Sequence, residues 1–118
     1  MMRVTDVELE DKDIVEIFTT ALEGGIGYWA VCDEYKWQYL YEDWNNDIVK
    51  PIDDDHVLAV LSDTEGEDFK DVELTPAKIR AGVKWVLNNR PGCNIFDIDA
   101  DLADAIVQAG LFGEIVYA

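Results

Sequence analysis

The sequence predicts an α+β domain of about three helices packed on a small antiparallel sheet, with residues 1–118 forming a single unit. Three observations carry this. Apolar residues recur at helical spacing from Ile14 onward, Thr75-Pro76 opens a second helical pattern, and between them two short apolar runs flank a polar stretch containing Gly66. No repeat, linker or low-complexity tract divides the chain.

Residues 1 to 10 alternate loosely and leave an edge strand or a lead-in open. From Asp11, a predicted N-cap, apolar positions fall at Ile14, Phe18, Ala21, Gly25, Tyr28 and Cys32, which draws one helical stripe through Gly24, Gly25 and Gly27. The kept period favours a continuous helix. Each interior glycine costs about 1 kcal/mol, so packing must offset roughly 3 kcal/mol in that reading. The competing reading ends the helix at Glu23, places Gly24 or Gly25 at C′, and makes Ile26 to Cys32 a strand.

Tyr35, Trp37, Tyr39 and Tyr41 alternate as a strand with an aromatic face would. Asp53-Asp54-Asp55 then marks a solvated turn before the clearest strand, His56 to Leu61, which pairs with Phe69 to Leu74 as a hairpin. Thr75 as N-cap with Pro76 at N1 starts a helix over Pro76 to Asn89, with Ile79, Val83, Val86 and Leu87 inward. Lys78, Arg80, Lys84 and Arg90 make it the basic patch of the chain.

A last helix begins near Asp99, with Asp101 in its first turn, and Leu102, Ile106, Ala109 and Gly113 on one stripe. Ala105, Ala109 and Gly113 form a ladder of small residues, and Ile115 to Tyr117 reads as a short strand. The first helix's glycines and this ladder are the two places where backbones can approach closely. The expectation is therefore that Ala21 to Trp29 crosses the C-terminal helix, with Tyr28 and Trp29 beside the contact.

Charge bounds the function. Against 9 basic residues stand 26 acidic ones, a formal net charge of −17. Such a field repels nucleic acid and anionic lipid and attracts basic proteins. The two cysteines, Cys32 and Cys93, have no CxxC or zinc spacing and read as reduced, packed thiols. The N-terminus turns acidic at once and predicts no secretory signal, so a cytoplasmic location is expected.

Candidate chemistries are thin. Asp53, Asp54, Asp55 and His56 have the donor types of a cation site but read as a solvated turn. Asp97, Asp99 and Asp101 start like a calcium loop, which then fails at Leu102 and Gln108. The glycines match neither phosphate-binding order, and His56 stands alone as a base for nucleophilic catalysis. Neither enzyme activity nor a cofactor is expected.

The segments Thr20-Ala-Leu-Glu-Gly-Gly-Ile-Gly-Tyr-Trp29 and Asp99-Ala-Asp-Leu-Ala-Asp-Ala-Ile-Val-Gln-Ala-Gly-Leu-Phe-Gly-Glu-Ile-Val-Tyr117 resemble a group of small uncharacterised proteins encoded by phages and prophages. The likeness covers the first and last quarters of the chain. It implies a mobile-element context and assigns no catalytic residue.

The acidic surface is the functional candidate. A duplex carries one charge per about 1.7 Å of axis, so a globule roughly 35 Å across spans about 20 phosphates, the same order as the excess charge here. Asp43 and Asp47, then Asp53, Asp54 and Asp55, then Asp63, Glu65, Glu67, Asp68 and Asp71 are the residues expected to meet a partner. That partner is a basic, nucleic-acid-binding host protein, with no direct contact to nucleic acid or membrane. The competing reading is an interaction or structural module, open to homo-oligomer formation, whose aromatic surface around Tyr35 to Trp44 binds while charge serves solubility or a high-salt environment.

Overall fold

A computed structural model describes residues 9–35, 55–64, 68–90, 92 and 97–117. Among them, helix α1 (Asp11–Thr20) continues into one π-helical turn (Ala21–Gly25), followed by strands β1 (Ala30–Tyr35), β2 (Ala59–Asp63) and β3 (Val72–Leu74) and helices α2 (Pro76–Asn89) and α3 (Ala100–Phe112). This is the expected α+β architecture. The helices pack around one core, while the strands form an antiparallel sheet in the order β1-β2-β3.

Helix α1 is capped one residue earlier than its sequence suggests. Glu10 is the N-cap, and its backbone N–H donates to the Asp13 carboxylate at 3.0 Å, so the two ends of the first turn are tied together. Ile14, Ile17, Phe18 and Ala21 are buried, which fixes the inward face.

The helix then widens and stops. Ile26 N–H reaches back five residues to the Ala21 carbonyl at 3.0 Å, and the N–H groups of Trp29 and Ala30 turn onto the Ile26 carbonyl. A single helix through Tyr28 to Cys32 is therefore corrected: helical bonding crosses Gly24 and Gly25, and the chain enters β1 at Ala30. Two adjacent glycines weaken the helix, and pairing with β2 supplies the competing hydrogen bonds.

Strand β1 pairs with β2 from Ala30↔Asp63 to Tyr35↔Ala59, with a bulge at Asp33 where the register shifts. Strand β2 pairs with β3 from Ala59↔Leu74 to Leu61↔Val72. The expected hairpin is present, shifted: its first strand is Ala59–Asp63, starting three residues after His56 and ending two after Leu61, and its second shortens to Val72–Leu74. Cys32 is exposed on β1 rather than packed. Cys93 and the aromatic alternation beyond Tyr35 lie outside the described residues.

Helix α2 has the expected start and end. Thr75 Oγ1 accepts the Lys78 N–H at 3.4 Å, and Ile79, Val83 and Val86 are buried. Helix α3 starts from Asp99, whose carboxylate accepts the Leu102 N–H at 2.8 Å, and ends at Gly113, in left-handed geometry with φ 77°.

Close backbone approach occurs at two crossings. A Cβ on Gly25 would lie 2.8 Å from the Ala100 carbonyl oxygen, so the π-turn does meet α3 at short range. The other crossing joins α2 and α3, where a Cβ on Gly82 would stand 1.9 Å from the Ile106 oxygen and one on Gly110 2.1 Å from the Lys78 oxygen. The ladder Ala105, Ala109, Gly113 is corrected accordingly: Ala105 and Ala109 are core residues, and Gly113 is an exposed cap. Ile115 to Tyr117 forms no strand. No helix of the described residues is long and apolar enough to cross a membrane.

Candidate functional site

The residues after the π-turn build an aromatic seam. Trp29 is buried and stacks on Tyr117 with ring centroids 5.1 Å apart and planes within 5°. Phe112 meets it edge-on at 5.7 Å, and Phe69 packs tilted at 5.9 Å. Four distant parts of the chain thus converge: the turn after α1, the β2–β3 connection, the end of α3 and the C-terminal tail.

A hydrogen-bonded network orders the same region. Asp104 Oδ1 accepts from Trp29 Nε1 at 2.7 Å, and its Oδ2 accepts from the Tyr28 hydroxyl at 2.6 Å. Gln108, one turn further along α3 and buried, donates from Nε2 to Asp104 Oδ1 at 2.9 Å and to the Tyr117 carbonyl at 3.1 Å. Its Oε1 accepts the N–H groups of Val116 and Tyr117 at 2.8 and 2.7 Å. The amide therefore serves the tail as a neighbouring strand's peptide group would.

Two acidic groups flank this seam. On one side stand Asp101 and Asp104, three residues apart on one helical face. On the other, Asp68 Oδ2 lies 3.5 Å from the Tyr117 hydroxyl. Burial, the hydrogen bond to Asp104 and the charges of Asp104 and Asp101 push the Tyr28 phenol up to about 12, although Gln108 acts in the opposite direction. Burial, with the charges of Asp68 and Asp63, also raises Tyr117. Among the described residues, no lysine or arginine forms an ion pair with Asp68, Asp71, Asp101 or Asp104.

The acids expected to meet a partner differ in exposure and in what they touch. Asp55, Asp68 and Asp71 are exposed. Asp63 is only 7% exposed, and its Oδ2 accepts the Asp68 N–H at 2.5 Å, so it braces the connection to β3. Asp71 takes a left-handed backbone with φ 55°, its N–H donating to Ser62 Oγ at 3.1 Å, while the Ser62 hydroxyl donates to the Asp33 carboxylate. Asp43, Asp47, Asp53, Asp54, Glu65 and Glu67 lie outside the described residues, as does most of the segment Tyr35 to Trp44.

The distribution of charge is one-sided around α2. Pro76 to Asn89 contains no carboxylate, and its outer face carries a groove of about 420 Å³ lined by Ala81, Lys84, Trp85, Asn88 and Asn89. Its cations are partly used inside the fold: the Lys78 ammonium donates to the Glu73 carbonyl, and Arg80 Nη1 donates to the Leu9 carbonyl at 3.0 Å. Among the described residues, no three His, Cys, Asp or Glu side chains come together as a metal site.

Sequence reasoning missed Tyr28, Asp101, Asp104, Gln108 and Tyr117 as a unit. The usable signal was the spacing Asp101, Asp104, Gln108 on one face of a helix expected to cross beside Tyr28 and Trp29. No family model, no curated protein and no solved structure matches this chain.

Proposed function

We propose that this is a small acidic protein of phage type that binds and blocks a basic, nucleic-acid-binding host protein, its carboxylates standing where phosphates would. The observation that carries the reading is the joint placement, beside aromatic side chains, of carboxylates that have no cationic partner among the described residues. Asp68, Asp101 and Asp104 flank a seam beside which Tyr28 is 53% exposed, while α2 contributes no carboxylate. An extent of 40 Å corresponds to roughly 24 duplex charges at about 1.7 Å each, the same order as the net charge of −17.

The mechanism is competitive occupancy. A basic groove gains long-range attraction to the acidic face, which speeds encounter, and an exposed aromatic anchors the docked state. No chemical step is involved, and the protein acts as a binding module in the host cell interior.

Affinity capture from a bacterial extract tests this. The expected product is a basic nucleic-acid-binding protein whose capture falls steeply with salt and is displaced by DNA. A partner retained equally at low and high salt, with no nucleic-acid site, overturns the reading. It would favour instead an interaction module that binds through exposed apolar residues such as Tyr28, Val31 and Val116.

A further inference from the structure

We propose that Tyr28, with the carboxylates of Asp101 and Asp104, forms a seat for an arginine side chain of the basic partner; this rests on the reading above that the acidic face meets a basic protein. Tyr28 is 53% exposed, and Val116, equally exposed, precedes the residue whose carbonyl lies 3.4 Å from the Tyr28 hydroxyl.

The ring is exposed and yet fixed. Its hydroxyl donates to Asp104 Oδ2 at 2.6 Å, and that carboxylate is itself held by Trp29 and Gln108. A side chain already immobilised loses little rotamer freedom when a partner docks, which is what makes an exposed aromatic an effective anchor.

The local charge selects the occupant. Asp104 is half-buried and satisfied by three neutral donors, but no cation within the described residues balances its charge. Asp101, exposed one turn earlier on the same face of α3, sets a second carboxylate beside Asp104, which holds the Tyr28 hydroxyl. A guanidinium fits both demands: its plane stacks on the aromatic face, and its fork of N–H groups donates to the exposed Asp101 carboxylate. An ammonium answers the charge but remains strongly hydrated and gains less from the ring.

The test titrates the intact protein with oligo-arginine and oligo-lysine peptides of equal length at low salt, following the Tyr28 ring and Trp29 indole N–H resonances. Expected are local shifts at Tyr28, Trp29 and Asp101, and affinity for oligo-arginine about two- to five-fold above that for oligo-lysine. Tyr28→Ala should abolish the preference, and Tyr28→Phe, which keeps the aromatic face but loses the hydroxyl's hold on Asp104, should retain part of it. Should Tyr28→Ala unfold, Asp101→Asn gives the second measure, with weaker oligo-arginine binding expected. Equal affinities with shifts spread over every acidic surface overturn the seat and leave the wider reading standing. No binding of either peptide at low salt overturns both.

Discussion

The side-chain amide of Gln108 engages Tyr117 through both of that residue's backbone polar groups, accepting its N–H at 2.7 Å and donating to its carbonyl at 3.1 Å. The tail is thereby laid against Trp29, and the stack of Trp29 on Tyr117 follows from it. Replacing Gln108 by Leu keeps the volume and leaves the N–H groups of Val116 and Tyr117 without their acceptor. A loss of about 2–4 kcal/mol is expected from two partly buried orphan donors. Urea denaturation followed by Trp fluorescence measures it, and an unchanged midpoint would show that the tail does not depend on this amide.

The crossing of α2 and α3 depends on glycine for space alone. A Cβ at Gly82 would sit 1.9 Å from the Ile106 carbonyl oxygen, a backbone atom that cannot swing aside, whereas at Gly27 no atom stands within 4 Å. Gly82→Ala gains up to about 1 kcal/mol of helix propensity but must push two helices apart, so a net loss of at least about 2 kcal/mol is expected. Gly27→Ala should fall within about 1 kcal/mol of the parent. Thermal unfolding of the two variants side by side decides the matter.

What was legible in the sequence was local. Thr75-Pro76 and Asp99 announce helix starts because an N-cap needs only the next three residues, and the stripe Ile14, Phe18, Ala21 identifies its own buried face. The glycines after α1 imply close approach to the last helix, which Gly25 makes at Ala100 and Asp104 instead of at the expected ladder of small residues. Gly82 and Gly110 were not legible, since a lone glycine inside a strong helical pattern reads as a tolerated cost. Gln108 was equally opaque: buried polar groups reveal themselves only when their partners are known. The Trp29–Asp104 bond spans 75 residues, and no local pattern encodes such a pair.

Tyr28 should make stability fall at alkaline pH. Its folded-state value of about 12 lies above the ordinary 10, so the unfolded chain gives up the proton first. The stabilisation is complete below pH 10 and is lost as pH rises through 12. Tyr117 shifts in the same direction and adds to the slope. Stability measured across this window should decline less in Tyr28→Phe than in the parent; identical slopes would separate the Tyr28 hydroxyl from Asp104.

The cap of α3 is a further local test, because Asp99 accepts the Leu102 N–H at 2.8 Å and its charge faces the positive end of the helix. Asp99→Ala should cost about 0.5–2 kcal/mol, and Asp99→Asn distinctly less, since asparagine caps nearly as well. Equal losses for the two would mean that charge, and not the hydrogen bond, holds the helix end.

Asp63 and Asp55 separate folding from binding among the acids. The Asp63 carboxylate is buried and accepts the Asp68 N–H at 2.5 Å, while Asp55 is exposed before β2. A hydrogen bond to a charged acceptor is worth about 1.5–3 kcal/mol, so Asp63→Ala should lower stability by that order. Asp55→Asn should stay within about 0.5 kcal/mol. In partner binding the order should reverse: Asp55→Asn flattens the salt dependence by removing one exposed charge, and Asp63→Ala, at temperatures where it remains folded, changes it less. If both substitutions alter the salt dependence equally, partner attraction depends on total charge and is indifferent to which carboxylates face outward.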